Sequence, residues 1–256
     1  MKKIIYILLF LLLLTSCTKI STNEFYNIIK DYPHNTKKLK EYEIAYKETN
    51  NIIHAINKVN YPDFLTPNSS NFLSFKQNNI LFVNTNYKLN KNYVPKNLVP
   101  VANVDFIKRE NQSMMLDSET YKAYINLFNA SLLDNLHLTI FSAYRSYEYQ
   151  ETLYNKEQNE FVAKPGASEH QTGCAIDLGT SNTGLTSYFD NTLEASWLYS
   201  NAYKYGFILR YPKDKESITG YPFESWHYRY VGTDVAEIIH TNNLTLEEYF
   251  YQYILL

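Results

Sequence analysis

The sequence predicts an α+β fold, a central antiparallel sheet with flanking helices. Three observations carry that reading. Tyr121, Tyr124, Ile125, Phe128 and Leu132 recur at helical spacing, as one buried face of a helix requires. Short apolar runs, Leu138 to Ala143 and Gly173 to Leu178 among them, have the length of strands. Helices and strands are interspersed with short connections, which suits an antiparallel arrangement better than a βαβ array. At 256 residues and 45% apolar content, the chain can form one large domain or two small ones.

Taken in order, Lys2 and Lys3 precede an unbroken apolar run from Ile4 to Leu14. The run is shorter than the roughly 20 residues that span a bilayer, so residues 1–16 read as a signal peptide. It closes in Leu14-Thr15-Ser16-Cys17, which resembles a bacterial lipobox. Cleavage before Cys17 and lipid on its thiol would then anchor the chain to the extracytoplasmic face of the cell membrane. An ordinary signal peptide or an uncleaved anchor is the alternative. Loss of residues 1–16 removes two lysines and leaves a net charge of −4, from 22 basic and 26 acidic side chains. That balance lacks the basic face nucleic acid demands, so no nucleic-acid partner is expected. With Cys17 lipidated, Cys174 is the one remaining cysteine and no intramolecular disulfide can form.

Residues 18–36 are polar and read as a tether behind the lipidated Cys17, within a segment 17–37. Leu39, Tyr42, Tyr46, Ile53 and Ile56 predict a helix near 38–59, with His54 an ordinary helix residue, in an N-terminal extension over 38–79. Tyr61-Pro62-Asp63-Phe64 breaks it. The main domain is assigned to 80–256. It opens with a strand from Ile80 to Asn84, and the periodic helix starts at about Ser118 after an Asp117-Ser118 cap. A strand follows at 138–143, then a helix capped by Ser146 and running through Leu153 toward Val162. In the strand from Gly173 to Leu178, alternation puts Gly173, Ala175 and Asp177 on one face and Cys174, Ile176 and Leu178 on the other. Cys174 is thereby turned from Asp177 and reads as a buried core thiol. A helix fits Glu194 to Tyr205, with Gly206 as its stop. Trp226 to Val231 returns to strand with His227, Arg229 and Val231 on one face. Glu224 has the wrong parity to join them and belongs in the bend before it. Thr245 and Glu248 form a capping box for a short terminal helix.

The chemistry concentrates in Ser168-Glu169-His170-Gln171-Thr172-Gly173-Cys174-Ala175-Ile176-Asp177 and in Glu224-Ser225-Trp226-His227. Together they offer two imidazoles and a carboxylate able to hold Zn2+, with a spare glutamate beside the third ligand. A hydrolytic zinc site needs three protein ligands, an open position for water and a base. His34, His137 and His240 have no such neighbours and read as surface or packing residues.

The pattern SxHxxGxAxD followed by ExWHxRxVG resembles the VanY-type D-alanyl-D-alanine carboxypeptidases, whose zinc fold is shared with hedgehog signalling domains and some lysostaphin-type endopeptidases. The similarity extends through Val83-Asn84, Ser142-Ala143-Tyr144-Arg145-Ser146 with Gln150, and Tyr205 to Pro212. It goes on through Thr219-Gly220-Tyr221 and Thr245 to Tyr249, covering about residues 80 to 250. The resemblance implies His170, Asp177 and His227 as zinc ligands and Glu224 as catalytic base. It places Arg145 and Gln150 on the peptide-binding side, with Ser168 and Tyr221 as further candidates there. The chain departs from the family at Ala143, usually Gly, and at Ser225, usually Pro. The implied reaction is removal of the C-terminal D-alanine from peptidoglycan stem peptides, with Glu224 assisting attack of zinc-bound water. Arg145 would stabilise the oxyanion or bind the substrate carboxylate. An L,D-carboxypeptidase or endopeptidase on the same scaffold is the alternative, and a wall-associated lipoprotein that binds zinc without hydrolysis is the rival from another class.

Overall fold

The computed structural model describes residues 21–256 except 33, 61–74, 78–79, 108–112, 158 and 255–256. The expected signal peptide, Cys17, the break at 61–64 and the side chain of His54 lie outside the described residues. Two compact units divide at Ile56/Asn57.

The first unit holds helix α1 (Thr22–Ile29), a 3₁₀ turn at Thr36–Lys38 and α2 (Leu39–Thr49), followed by α3 (Ile52–Asn60), which crosses the division. The expected polar tether is thus in part a helix. Ser21 and Glu24 form a complete capping box at the start of α1, and Phe25 and Ile29, one turn apart, are buried. The expected helix over 38–59 is two helices. Asn50 at φ 48° ends α2, donating its N–H to the Tyr46 carbonyl at 2.7 Å, and Asn is one of the few residues that enter the left-handed region readily.

The second unit contains β1 (Phe75–Gln77), β2 (Ile80–Phe82), β3 (Leu98–Pro100), β4 (Met115–Asp117), α4 (Ser118–Leu133), β5 (Thr139–Ser142), α5 (Tyr147–Glu157) and β6 (Ala175–Gly179). There follow α6 (Leu193–Asn201), β7 (Phe207–Leu209), α7 (Glu216–Thr219), β8 (His227–Tyr230), α8 (Thr233–Thr241) and α9 (Leu246–Tyr249). Its centre is a four-stranded antiparallel sheet in the order β5-β6-β8-β7, beside the two-stranded pairs β1-β2 and β3-β4. Sequence periodicity missed β3, β4 and β7, because three-residue strands are too short to show alternation.

Alternation sorts the central sheet into two faces. Ile140, Ile176, Leu178, Phe207 and Tyr228 pack in one cluster with Tyr124, Leu127 and Phe128 of α4 and Leu198 of α6. Burying each of the Ile, Leu and Phe side chains among them contributes about 1.5–3 kcal/mol. Asp177, Ala175, His227 and Arg229 take the other face, Asp177 opposite His227 and Ala175 opposite Arg229. The core that holds the sheet and the residues that could act on a substrate are on opposite sides of the same two strands.

Cys174 lies before β6, half-buried and free, its Sγ 3.6 Å from the Thr172 carbonyl. It is therefore not the core thiol expected. The regular strand starts at Ala175, so alternation does not reach back to it. The helix expected to run to Val162 ends at Glu157. The one expected over 194–205 is α6 continued by a 3₁₀ turn at Ala202–Tyr205, closed by Gly206 at φ 83°. A Cβ on Gly206 would stand 2.6 Å from the Tyr230 ring and 3.1 Å from Gly232 backbone. Gly206→Ala is accordingly expected to destabilise the fold by more than about 1 kcal/mol, combining left-handed strain with overpacking. A melting temperature equal to that of the parent protein in calorimetry would contradict this.

Candidate metal centre and active site

Three segments deliver the polar face its chemistry. The turn Glu169–Thr172, closed by Gly173 at φ 72°, carries His170. Strand β6 carries Asp177 and β8 carries His227, paired across the ladder. All three side chains are buried, and one donor atom from each lies within 4.8 Å of the others. His170 Nε2 is 3.1 Å from Asp177 Oδ2, and His227 Nδ1 is 3.0 Å from Asp177 Oδ1. The remaining ring nitrogens face outward to acceptors: His170 Nδ1 is 2.7 Å from the Ala143 carbonyl and His227 Nε2 is 3.4 Å from Glu169 Oε2. Protonating those outer nitrogens leaves Nε2 of His170 and Nδ1 of His227 as lone-pair donors converging with a carboxylate. That is the arrangement in which outer acceptors orient metal-binding imidazoles. The donor set fits a divalent cation that accepts nitrogen and oxygen ligands.

Burial pushes the His170 pKa down, which keeps its imidazole neutral for coordination. Burial acting alone would raise the Asp177 carboxyl, but His170 and His227 hold it well below the usual range. For His227 burial works downward, and the hydrogen bonds to Asp177 and Glu169 overcome it, pushing the imidazolium up to about 9. Glu224 sits in the bend before β8, as its parity predicts. Its N–H donates to the Tyr211 carbonyl at 3.1 Å, and its Oε2 lies 3.7 Å from His227 Nδ1. Burial pushes its pKa up to about 8 in the metal-free protein.

These groups line a cleft of about 240 Å³ that also takes in Arg145, Ser168, Tyr221 and Trp226. Arg145 is held by Nη1 donating to Gln150 Oε1 at 2.7 Å and Nη2 donating to Ser142 Oγ at 3.0 Å. Its Nη2 is 3.7 Å from Asp177 Oδ2. Gln150 differs from expectation. It is 1% exposed, and its Nε2 donates to the Ala163 carbonyl at 2.6 Å. With one end of its amide on Arg145 and the other on backbone, it orients the arginine instead of facing the cleft. Ser168 and Tyr221 do line the cleft, the Tyr221 hydroxyl donating to the Ala167 carbonyl at 3.2 Å.

Glu169, between Ser168 and His170, is a residue of the site that the motif spacing does not single out. Its carboxylate is fully buried, accepts from Arg210 Nε at 2.9 Å and pairs with Arg229 Nη1 at 3.1 Å. Burial opposes its charge, and the two guanidiniums hold its pKa well below the usual range. Arg210 also forks onto Glu247, Nη1 to Oε2 at 2.8 Å and Nη2 to Oε1 at 2.6 Å. The available signal was an acidic residue beside a candidate ligand, with Arg229 on the same strand face as His227.

A family model described as VanY, D-alanyl-D-alanine carboxypeptidase, matches residues 113–233. The putative carboxypeptidase YodJ of Bacillus subtilis (strain 168) is 42% identical over 185 residues, covering 68% of this chain and 67% of that protein. The chain belongs to the VanY carboxypeptidase family. Among solved structures, the LdcB LD-carboxypeptidase superposes with a TM-score of 0.62 at 42% identity, over 66% of this chain and 83% of that one. A mutant of the vancomycin-resistance D,D-pentapeptidase VanY in complex with Zn(II) gives 0.54 at 31% identity, over 66% and 96%. The match to the VanY model contains His170, Asp177, Glu224, His227 and Arg145 and stops short of Glu247.

A proton on His227 Nδ1 would compete with a metal held by the same lone pair. Because its pKa is raised to about 9, the protonated form prevails below that pH. Metal uptake at pH 7 is expected to release a proton, and affinity should fall about tenfold per unit as pH drops further. Calorimetric titration in two buffers of different ionisation enthalpy measures this. Identical heats in both buffers would contradict it.

Proposed function

We propose that the chain is a zinc carboxypeptidase that removes the C-terminal D-alanine from peptidoglycan stem peptides. The observation that carries this is the convergence of His170, Asp177 and His227 within 4.8 Å, in one cleft with the spare carboxylate of Glu224 and the held guanidinium of Arg145. The relative solved with Zn(II) supports zinc as the metal of these three residues. When bound, zinc supplies Lewis acidity, lowering the pKa of water toward about 7 and drawing charge from a carbonyl.

The chain's own groups account for the remaining chemistry. Glu224 takes the proton of the attacking water on its carboxylate and returns it to the departing amine. A carboxyl with its pKa raised by burial suits both roles better than one near 4, since the ideal pKa lies near the working pH. Zinc's charge acts on Glu224 in the opposite sense to burial. Arg145 Nη2 stands 3.7 Å from Asp177 Oδ2, close enough to the three donors for its guanidinium to reach a carbonyl bound there, which supports the oxyanion role. Gln150 and Ser142 fix its fork before substrate arrives. A neighbouring cavity of about 750 Å³ shares Phe161, Leu185 and Trp226 with the cleft and leaves room for the peptide upstream of the cut bond.

Two bonds fit this chemistry. Family membership points to the D,D bond of a pentapeptide stem. The L,D bond of a tetrapeptide stem is favoured by one observation, the 42% identity to an LD-carboxypeptidase against 31% to the D,D-pentapeptidase. Mass spectrometry of products from penta- and tetrapeptide stems, with and without chelator, decides between them. Chelator-sensitive loss of one alanine from either stem is expected, and no loss from both would sink the carboxypeptidase reading. Glu224→Gln should keep its metal and lose turnover by roughly 10²–10⁴-fold. Turnover at the parent rate would remove Glu224 from the mechanism. Lipid anchoring through Cys17 at the extracytoplasmic membrane face remains part of the proposal, supported by the apolar run and Leu14-Thr15-Ser16-Cys17. Membrane retention of a Cys17→Ala variant would count against it.

A further inference from the structure

We infer that Glu247 of α9 is a positioning residue for the metal centre, acting through Arg210 and Glu169 on His227. The inference rests on the reading of His170, Asp177 and His227 as metal ligands. Glu247 is 1% exposed and lies beyond the stretch matched by the VanY model, yet continuous polar contacts link it to a ligand. Both of its oxygens accept from Arg210, at 2.8 and 2.6 Å, and Oε1 also accepts from Asn84 Nδ2 at 3.3 Å. The two Nη groups of Arg210 are thereby committed, and its Nε is left to donate to Glu169 Oε1 at 2.9 Å. Arg229 Nη1 pairs with that same oxygen at 3.1 Å. Glu169 Oε2 remains for His227 Nε2, at 3.4 Å.

Geometry and charge both travel along this chain of contacts. A guanidinium is planar, so a fork fixed by Glu247 fixes the direction of Nε, and Nε fixes the Glu169 carboxylate. Arg210, Arg229, Glu169 and Glu247 are all buried and sum to zero charge. Neutralising Glu247 leaves one uncompensated cation behind His227. That cation draws Glu169 toward Arg210 and away from the imidazole, and it opposes a dication at the ligands. A purely structural role for Glu247 would affect stability without altering the coordination of a bound metal.

The test compares the parent chain with E247Q, loaded with Co(II), by visible absorption and by the rate of metal loss to a chelator, with no substrate present. E247Q is expected to lose metal roughly tenfold to hundredfold faster, in the range found when outer partners of metal ligands are removed. Its Co(II) bands should shift, and E247D, which restores the charge, should recover most of the difference. A folded E247Q with the parent release rate and spectrum overturns the proposal. Should E247Q fail to fold, R210K is measured in the same way. Lysine keeps the charge but cannot fork onto Glu247 while reaching Glu169, so parent-like release and spectrum in R210K also overturn it. A parent chain that takes up no Co(II) sinks the metal reading and this one together, whereas normal uptake with an unaltered E247Q sinks this one alone.

Discussion

The register between β6 and β8 is the constraint on which the site depends. Asp177 faces His227 across an antiparallel pair, and a slip of one residue would turn every side chain of one strand to the other face. Ile176 and Leu178 would then leave the core cluster as Asp177 left the cleft, or Tyr228 as His227 left it. Hydrophobic burial on one face therefore enforces donor geometry on the other. Sequence alternation specifies both at once, because it is the same backbone that presents both sets of side chains. His170 is brought to this pair by different means, a 3₁₀ turn whose closing glycine is left-handed.

Electrostatics adds a second layer. Four ionised groups, Glu169, Arg210, Arg229 and Glu247, are buried within one network. Taking such charges out of water costs several kcal/mol each, recovered only with near-complete pairing. A network of this kind is a weak source of stability and a strong source of orientation. In this chain Glu169 Oε2 faces His227 Nε2, and the other nitrogen of that ring is one of the three converging donors. Arg145 shows the same economy in the cleft, where Gln150 and Ser142 hold it ready.

Much of this was legible from the sequence. Glu224 in its bend, the faces of β6 and β8, α4 with its Asp117 cap and the Thr245–Glu248 box all follow from parity and capping, and the three donors that the family resemblance implies lie within 4.8 Å of one another. The failures have physical causes. The family resemblance puts Gln150 on the peptide-binding side, but a motif match does not fix which way a side chain turns, and here its amide lies between Arg145 and the Ala163 carbonyl. The strands β3, β4 and β7 have three residues each, too few for a period to register. Helix α1 was hidden by its polar composition, although Phe25 and Ile29 lie one turn apart behind a capping box. The Glu169–Arg210–Glu247 chain joins residues 169, 210 and 247, and contacts at that separation leave no local signature.

The wide spacing of the donors has a consequence for the order of events during synthesis. His170 and Asp177 come from adjacent segments, but His227 lies 50 residues after Asp177, and Glu247 emerges from the ribosome later still. No partial chain lacking β8 can close the cage. The full donor set therefore exists only once residue 227 has been made, in contrast to the short-range donors of a zinc finger.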